Sequence, residues 1–69
     1  MKSEFDITIR KAMLDLGFSW DMLAEEIEYN TGSNLITAIR TRKLRDDFLV
    51  KLCKVLKLDL GEIFKLKVL

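Results

Sequence analysis

The sequence predicts an all-α fold, a compact bundle of five short helices. Apolar residues recur three and four positions apart along most of the chain. Ser and Asp stand where those stripes begin, twice with an acid three positions on. Proline, linkers, repeats and low-complexity stretches are all missing. At 69 residues the chain reads as one domain, 1–69. A domain of this size withdraws only about 60% of its unfolded surface from water, so almost every large apolar side chain is needed in one core.

The first helix is expected from about residue 4, with Ser3 and Asp6 as a weak capping box and Phe5, Ile9, Ala12, Met13 and Leu16 as its stripe. Phe5, Ile7 and Ile9 also alternate, which leaves an extended start open. Gly17 suits a left-handed cap, and Phe18 before Ser19 suits a staple into the second helix, Trp20 to about Glu28. Asn30 and Gly32 tolerate positive φ best, so the turn is placed there and the third helix from about Ser33 to Arg40 or slightly beyond. Asp46 or Asp47 caps a fourth helix with the stripe Phe48, Leu49, Leu52, Cys53, Val55 and Leu56. Asp59 and Glu62 open a fifth through Leu60, Ile63 and Phe64. The tail to Leu69 alternates apolar and basic residues. It is either the end of that helix, a frayed terminus packed back on the core, or a short extended strand, which would need a partner edge such as the same tail in a second copy.

Composition removes several function classes. With 49% apolar and 33% charged residues the chain is too apolar for disorder. No run is long enough to cross a membrane. Met1 to Asp6 carries acids and no following apolar block, the pattern of neither a signal nor a transit peptide, so a cytoplasmic chain is expected. Cys53 is the only cysteine and there is no histidine, so the usual zinc sites and the Ser-His or Cys-His nucleophiles cannot be assembled. Glu25, Glu26 and Glu28 lie on an exposed face without a glycine-rich phosphate loop. No enzyme, cofactor or metal is expected.

The net charge of +1 conceals a separation along the chain. Residues 1–30 carry a net −4 and residues 31–69 a net +5. Arg40, Arg42, Lys43 and Arg45 fall within six positions that hold no acid, at the end of the third helix. The 27 residues from Ser19 to Arg45 thus read as two short helices joined by a polar turn and leaving into a basic loop, the plan of a helix-turn-helix reader of double-stranded DNA.

Ser19, Leu23-Ala24, Ile27, the paired Ile36 and Ile39, Leu49 and Leu52, and the closing Leu56-Lys-Leu-Asp-Leu-Gly-Glu-Ile63 carry a further likeness. The pattern resembles the phage repressor and Cro type of helix-turn-helix family from about Ile9 to Phe64. That resemblance implies a lambda-repressor-like five-helix domain, a homodimer on a near-palindromic operator, and transcriptional repression or a genetic switch in a phage or mobile element. The chain departs from the family at Glu28, where members usually carry Gly, and at Arg40 and Arg42, which replace a Glu and a Gly. Its turn also reads as about two residues longer. If Ile36 marks the buried position of the third helix, Ser33, Asn34 and Thr37 correspond to base-reading positions; if Leu35 does, Thr31 and Ser33 take that role.

Asn34 is the best specificity candidate, because a carboxamide bonds an adenine edge in two places, and Thr37 suits a thymine methyl. Arg42, Lys43 and Arg45 are expected to hold phosphates, with Ser19 and the Trp20 indole N–H adding a contact at the start of the second helix. Each has a plainer rival: Ser33 as a cap, Asn34 bonded within the turn, Arg40 paired with an acid of the second helix, and Trp20 covering apolar surface near Phe18 and Met22. The acidic run Asp21, Glu25, Glu26 and Glu28 motivates a reading from another class, a protein-binding modulator that engages a partner repressor.

Overall fold

Four of the five helices begin where a short polar side chain accepts a backbone N–H that the helix cannot satisfy. The computed structural model describes residues 3–69; Met1 and Lys2, part of the amino-terminal segment read above, lie outside the described residues. Ser3 Oγ accepts from Asp6 N at 3.2 Å and opens α1 (Glu4–Leu16). Ser19 Oγ accepts from Met22 N at 3.2 Å and opens α2 (Trp20–Glu26). Thr31 Oγ1 accepts from Asn34 N at 3.1 Å and opens α3 (Gly32–Arg40). Asp59 Oδ2 accepts from Glu62 N at 3.3 Å and opens α5 (Leu60–Val68). The exception is α4 (Asp46–Leu56), whose N-cap is Arg45, with no side-chain cap. Asp46 and Asp47 are therefore first-turn residues rather than caps, placed where the helix dipole favours carboxylates.

The first four helices close alike. Gly17, Glu28, Arg42 and Lys57 adopt φ of 75°, 61°, 58° and 57°. Each donates its N–H to the carbonyl three residues back, and the following residue donates to the carbonyl five back, at 2.8–3.4 Å. This is the Schellman closure, which favours glycine because a Cβ at positive φ crowds the backbone. Only α1 uses a glycine. Glu28 ends α2 two residues earlier than its apolar spacing suggests, and the left-handed residue of the turn is Glu28, not Asn30 or Gly32.

Among the described residues the fold is five helices and no strand, as the periodicity predicts. The extended tail is not formed: α5 continues to Val68, because Ile63 and, in part, Leu66 lie one turn apart on the core face. The extended start is not formed either, since Phe5, Ile9 and Met13 are buried while Ile7 is exposed. Helix α1 packs on α3, α4 and α5, and α2 packs chiefly on α3. The core is made of Phe5, Ile9, Met13, Leu23, Ala24, Ile27, Leu35, Ala38, Ile39, Leu44, Leu49, Leu52, Cys53, Leu56 and Ile63. Burial, with Asp59 nearby, raises the Cys53 thiol pKa, so this side chain behaves as a small apolar group. No helix among the described residues is long and apolar enough to cross a membrane.

Candidate nucleic-acid interface

The α2–α3 unit is built around Gly32. A Cβ there would collide with the Asp21 side chain and stand 3.0 Å from Asp21 N and 3.1 Å from the Trp20 carbonyl carbon. Glycine therefore lets the amino terminus of α3 close against the amino terminus of α2. Its role is close approach within a helix, not the positive φ its sequence context suggests.

Packing then fixes the register of α3. Leu35, Ala38 and Ile39 face inward, and Leu35 is fully buried while Ile36 is only half-buried. Of the two alignments left open by the sequence, the one anchored on Leu35 is the one observed. In the terms of the family resemblance this moves Thr31 and Ser33 into the reading positions. The solvent face nevertheless retains all three residues first singled out, since Ser33, Asn34 and Thr37 are exposed. Ser33, Thr37 and Arg40 form one stripe at i, i+4 and i+7; Asn34, Thr37 and Thr41 form another beside it.

The rival assignments resolve individually. Thr31, not Ser33, caps α3. Asn30, not Asn34, bonds within the turn, its Oδ1 accepting from Thr31 N at 2.8 Å. Thr37 Oγ1 donates to the Ser33 carbonyl at 3.3 Å, which leaves its methyl as the group free for contact. Thr41 Oγ1 likewise donates to the Thr37 carbonyl at 2.8 Å. The expected pairing of Arg40 with an acid of α2 is absent: Arg40 is exposed and makes no ion pair among the described residues. It extends the outward stripe instead. The spacing Ser33–Thr37–Arg40 carried that signal once Leu35 was taken as buried.

Beyond α3 the chain keeps its cations in water. Arg42 and Lys43 are exposed in the closing turn, and Leu44 is buried and anchors the loop between them and Arg45. Arg45 is exposed too, with its guanidinium 3.3 Å from Asp47 Oδ2 and 5.9 Å from the Phe48 ring centroid. An exposed pair of this kind contributes little and exchanges readily with a phosphate. The four cations cluster at the carboxyl end of α3, where the helix dipole also favours positive charge.

The other end differs in sign. Asp21 sits against the first residue of α3, and a hollow of about 390 Å³ beside it is lined by Asp21, Ala24, Glu25, Tyr29, Asn30, Thr31 and Gly32. Ser19 is exposed, with its oxygen already accepting the cap bond, so the hydroxyl hydrogen is what remains for a ligand. Trp20 is half-buried and packed on the core, and the Arg10 guanidinium carbon lies 5.0 Å from its ring centroid. Arg10 is itself held by buried Asp6, Nε donating to Oδ1 at 2.7 Å. The indole is thus set by packing and a cation over its ring, the plainer of its two readings.

Among the described residues no group of three or more His, Cys, Asp or Glu side chains is placed to hold a metal. The arrangement offers hydroxyl, methyl and carboxamide groups on a rigid helix, followed by guanidinium and ammonium groups. Comparison with protein-family models, with curated proteins and with solved structures finds no match to this chain, so the likeness to the repressor and Cro family rests on the residues quoted above.

Proposed function

We propose that the chain is a sequence-specific DNA-binding transcriptional regulator, Cro- or repressor-like, that lays α3 in the major groove of a near-palindromic operator as a homodimer in the cytoplasm. The observation that carries this reading is the outward face of α3: Ser33, Asn34 and Thr37 exposed on one short helix that runs directly into exposed Arg40, Arg42, Lys43 and Arg45. Small polar groups meet base edges, and the cations meet flanking phosphates. Ser33, a reading position in either register, chooses the sequence together with its exposed neighbours Asn34 and Thr37. The cations set the grip, with the Ser19 hydroxyl at the start of α2 adding a further backbone contact.

The test is fluorescence polarisation on duplexes selected from a random library by the chain itself. Asn34→Ala is expected to relax preference at one base position, by about 1–3 kcal/mol of discrimination. Lys43→Ala is expected to weaken all duplexes alike and flatten the slope of log K against log salt by about 0.9. Equal losses from the two changes, or no selected sequence at low salt, overturn the reading.

A second reading has its own support in the exposed acids Asp21, Glu25 and Glu26 of α2, of which Asp21 and Glu25 line the hollow at the amino end of α3 and repel phosphate. In that reading the chain is a modulator or antirepressor that binds the basic DNA-reading surface of a partner repressor. Failure to retain any duplex, together with tight binding to such a basic surface, selects it.

A further inference from the structure

Arg40 stands apart from the other arginines of the chain. Arg10 is held by Asp6 at 2.7 Å and Arg45 by Asp47 at 3.3 Å, while Arg42 lies past the helix in the left-handed closing turn. Arg40 belongs to α3 itself, is exposed, and makes no ion pair among the described residues. Its own helix contains no acid to hold it.

The rest of that face has few donors left. Beyond Asn34 the only other polar side chain of α3 is Thr37, and its hydroxyl donates to the Ser33 carbonyl at 3.3 Å. Thr41, which closes the helix, likewise turns its hydroxyl inward, to the Thr37 carbonyl at 2.8 Å. Both threonines therefore offer methyl groups to a ligand. Hydrogen-bond donors in the carboxyl half of the outward face come from Arg40.

We propose that Arg40 reads a guanine. The inference rests on the DNA reading above and goes beyond it: Arg40 leaves the phosphate-holding group and gives α3 a second hydrogen-bonding position. It follows Ser33 and Thr37 on one stripe, seven residues from Ser33, and so lies about 10 Å further along the helix axis. With α3 lying along the major groove, that is about three base-pair steps from the bases met by Ser33 and Asn34. A guanidinium presents two parallel N–H donors, and guanine is the base whose major-groove edge offers two acceptors, O6 and N7. The other three bases do not match that fork. Since Arg40 replaces a Glu of the resembled family, and a carboxylate has no donor, this contact is particular to this chain.

The test uses the full chain and duplexes that it selects from a random library. A guanine is expected about three positions from the base whose preference Asn34→Ala relaxes. Replacing that guanine by 7-deazaguanine, which lacks N7, is expected to weaken parent binding about tenfold, and Arg40→Ala to weaken it at least as much. The 7-deaza change should then have no effect on the Arg40→Ala chain, whose melting temperature should equal the parent's because the side chain is exposed. An equal loss on all duplexes from Arg40→Ala, with the salt slope flattened by about 0.9, would make Arg40 a phosphate contact and overturn the proposal. A 7-deazaguanine penalty that persists in Arg40→Ala, or no selected guanine at that spacing, overturns it as well. Each of these results leaves the DNA reading standing, whereas a chain that selects no duplex removes both.

Discussion

Arg42 meets two opposed demands. Its φ of 58° is left-handed, a conformation that costs a side chain about 1–2 kcal/mol relative to the ordinary regions. Yet its position in the exposed loop after α3 is where the DNA reading wants a cation. Arg42→Gly separates the two demands. It is expected to raise stability by about 0.5–1 kcal/mol and the melting temperature by about 2–8 °C. In the same protein it should lower DNA affinity and flatten the salt slope by about one unit. A thermal melt and a salt titration check the two signs, and a loss of both properties would place Arg42 among structural residues only. Glu28 and Lys57 sit at the same kind of position in α2 and α4. None of the three side chains signals a left-handed closure by its own type, which Gly or Asn would do; at Glu28 and Arg42 the Gly of the resembled family is the only hint.

At the scale of the element, α3 depends on its first turn. Thr31 is the cap, and the residues that follow it, Ser33 and Asn34, are the ones proposed to approach bases. Removing the cap should fray that turn first. Thr31→Ala is expected to cost about 1 kcal/mol, and Thr31→Ser to restore most of it. Under the DNA reading the alanine variant should also lose preference among duplexes more than it loses affinity for any one of them, since the cations lie at the other end of the helix. Circular dichroism melts and competition between selected and scrambled duplexes would measure this, and equal proportional losses would argue against reading by the first turn. The caps at Ser3, Ser19 and Asp59 were legible because capping is a local bond with a fixed spacing. Thr31 was obscured by Gly32, which looked like turn chemistry and proved to be a packing contact.

Across the whole molecule, the choice between Leu35 and Ile36 is the decision from which the site follows. Either residue can head an apolar stripe on an isolated helix, and only the floor supplied by the rest of the core distinguishes them. Leu35→Ala should therefore cost about 2–5 kcal/mol, and Ile36→Ala under about 1.5 kcal/mol. A domain of this length holds roughly 3–10 kcal/mol in total, so the first variant should be largely unfolded near physiological temperature and the second intact. Chemical denaturation of the two reads the register without any ligand. The opposite order would rotate α3 so that Ile36, not Leu35, faces the core.

The sequence by itself determined the five helices, three of the four helix caps by residue, and the separation of acidic from basic halves, because each depends on neighbours within one or two turns. Tertiary structure alone decided which side of α3 faces water, that Arg40 stands free of α2, and that the tail winds as helix. It also forced Glu28, Arg42 and Lys57 into a conformation their side chains resist. Those outcomes depend on burial against residues far away in the chain, and burial outweighs the local preference of any single side chain whenever the two conflict.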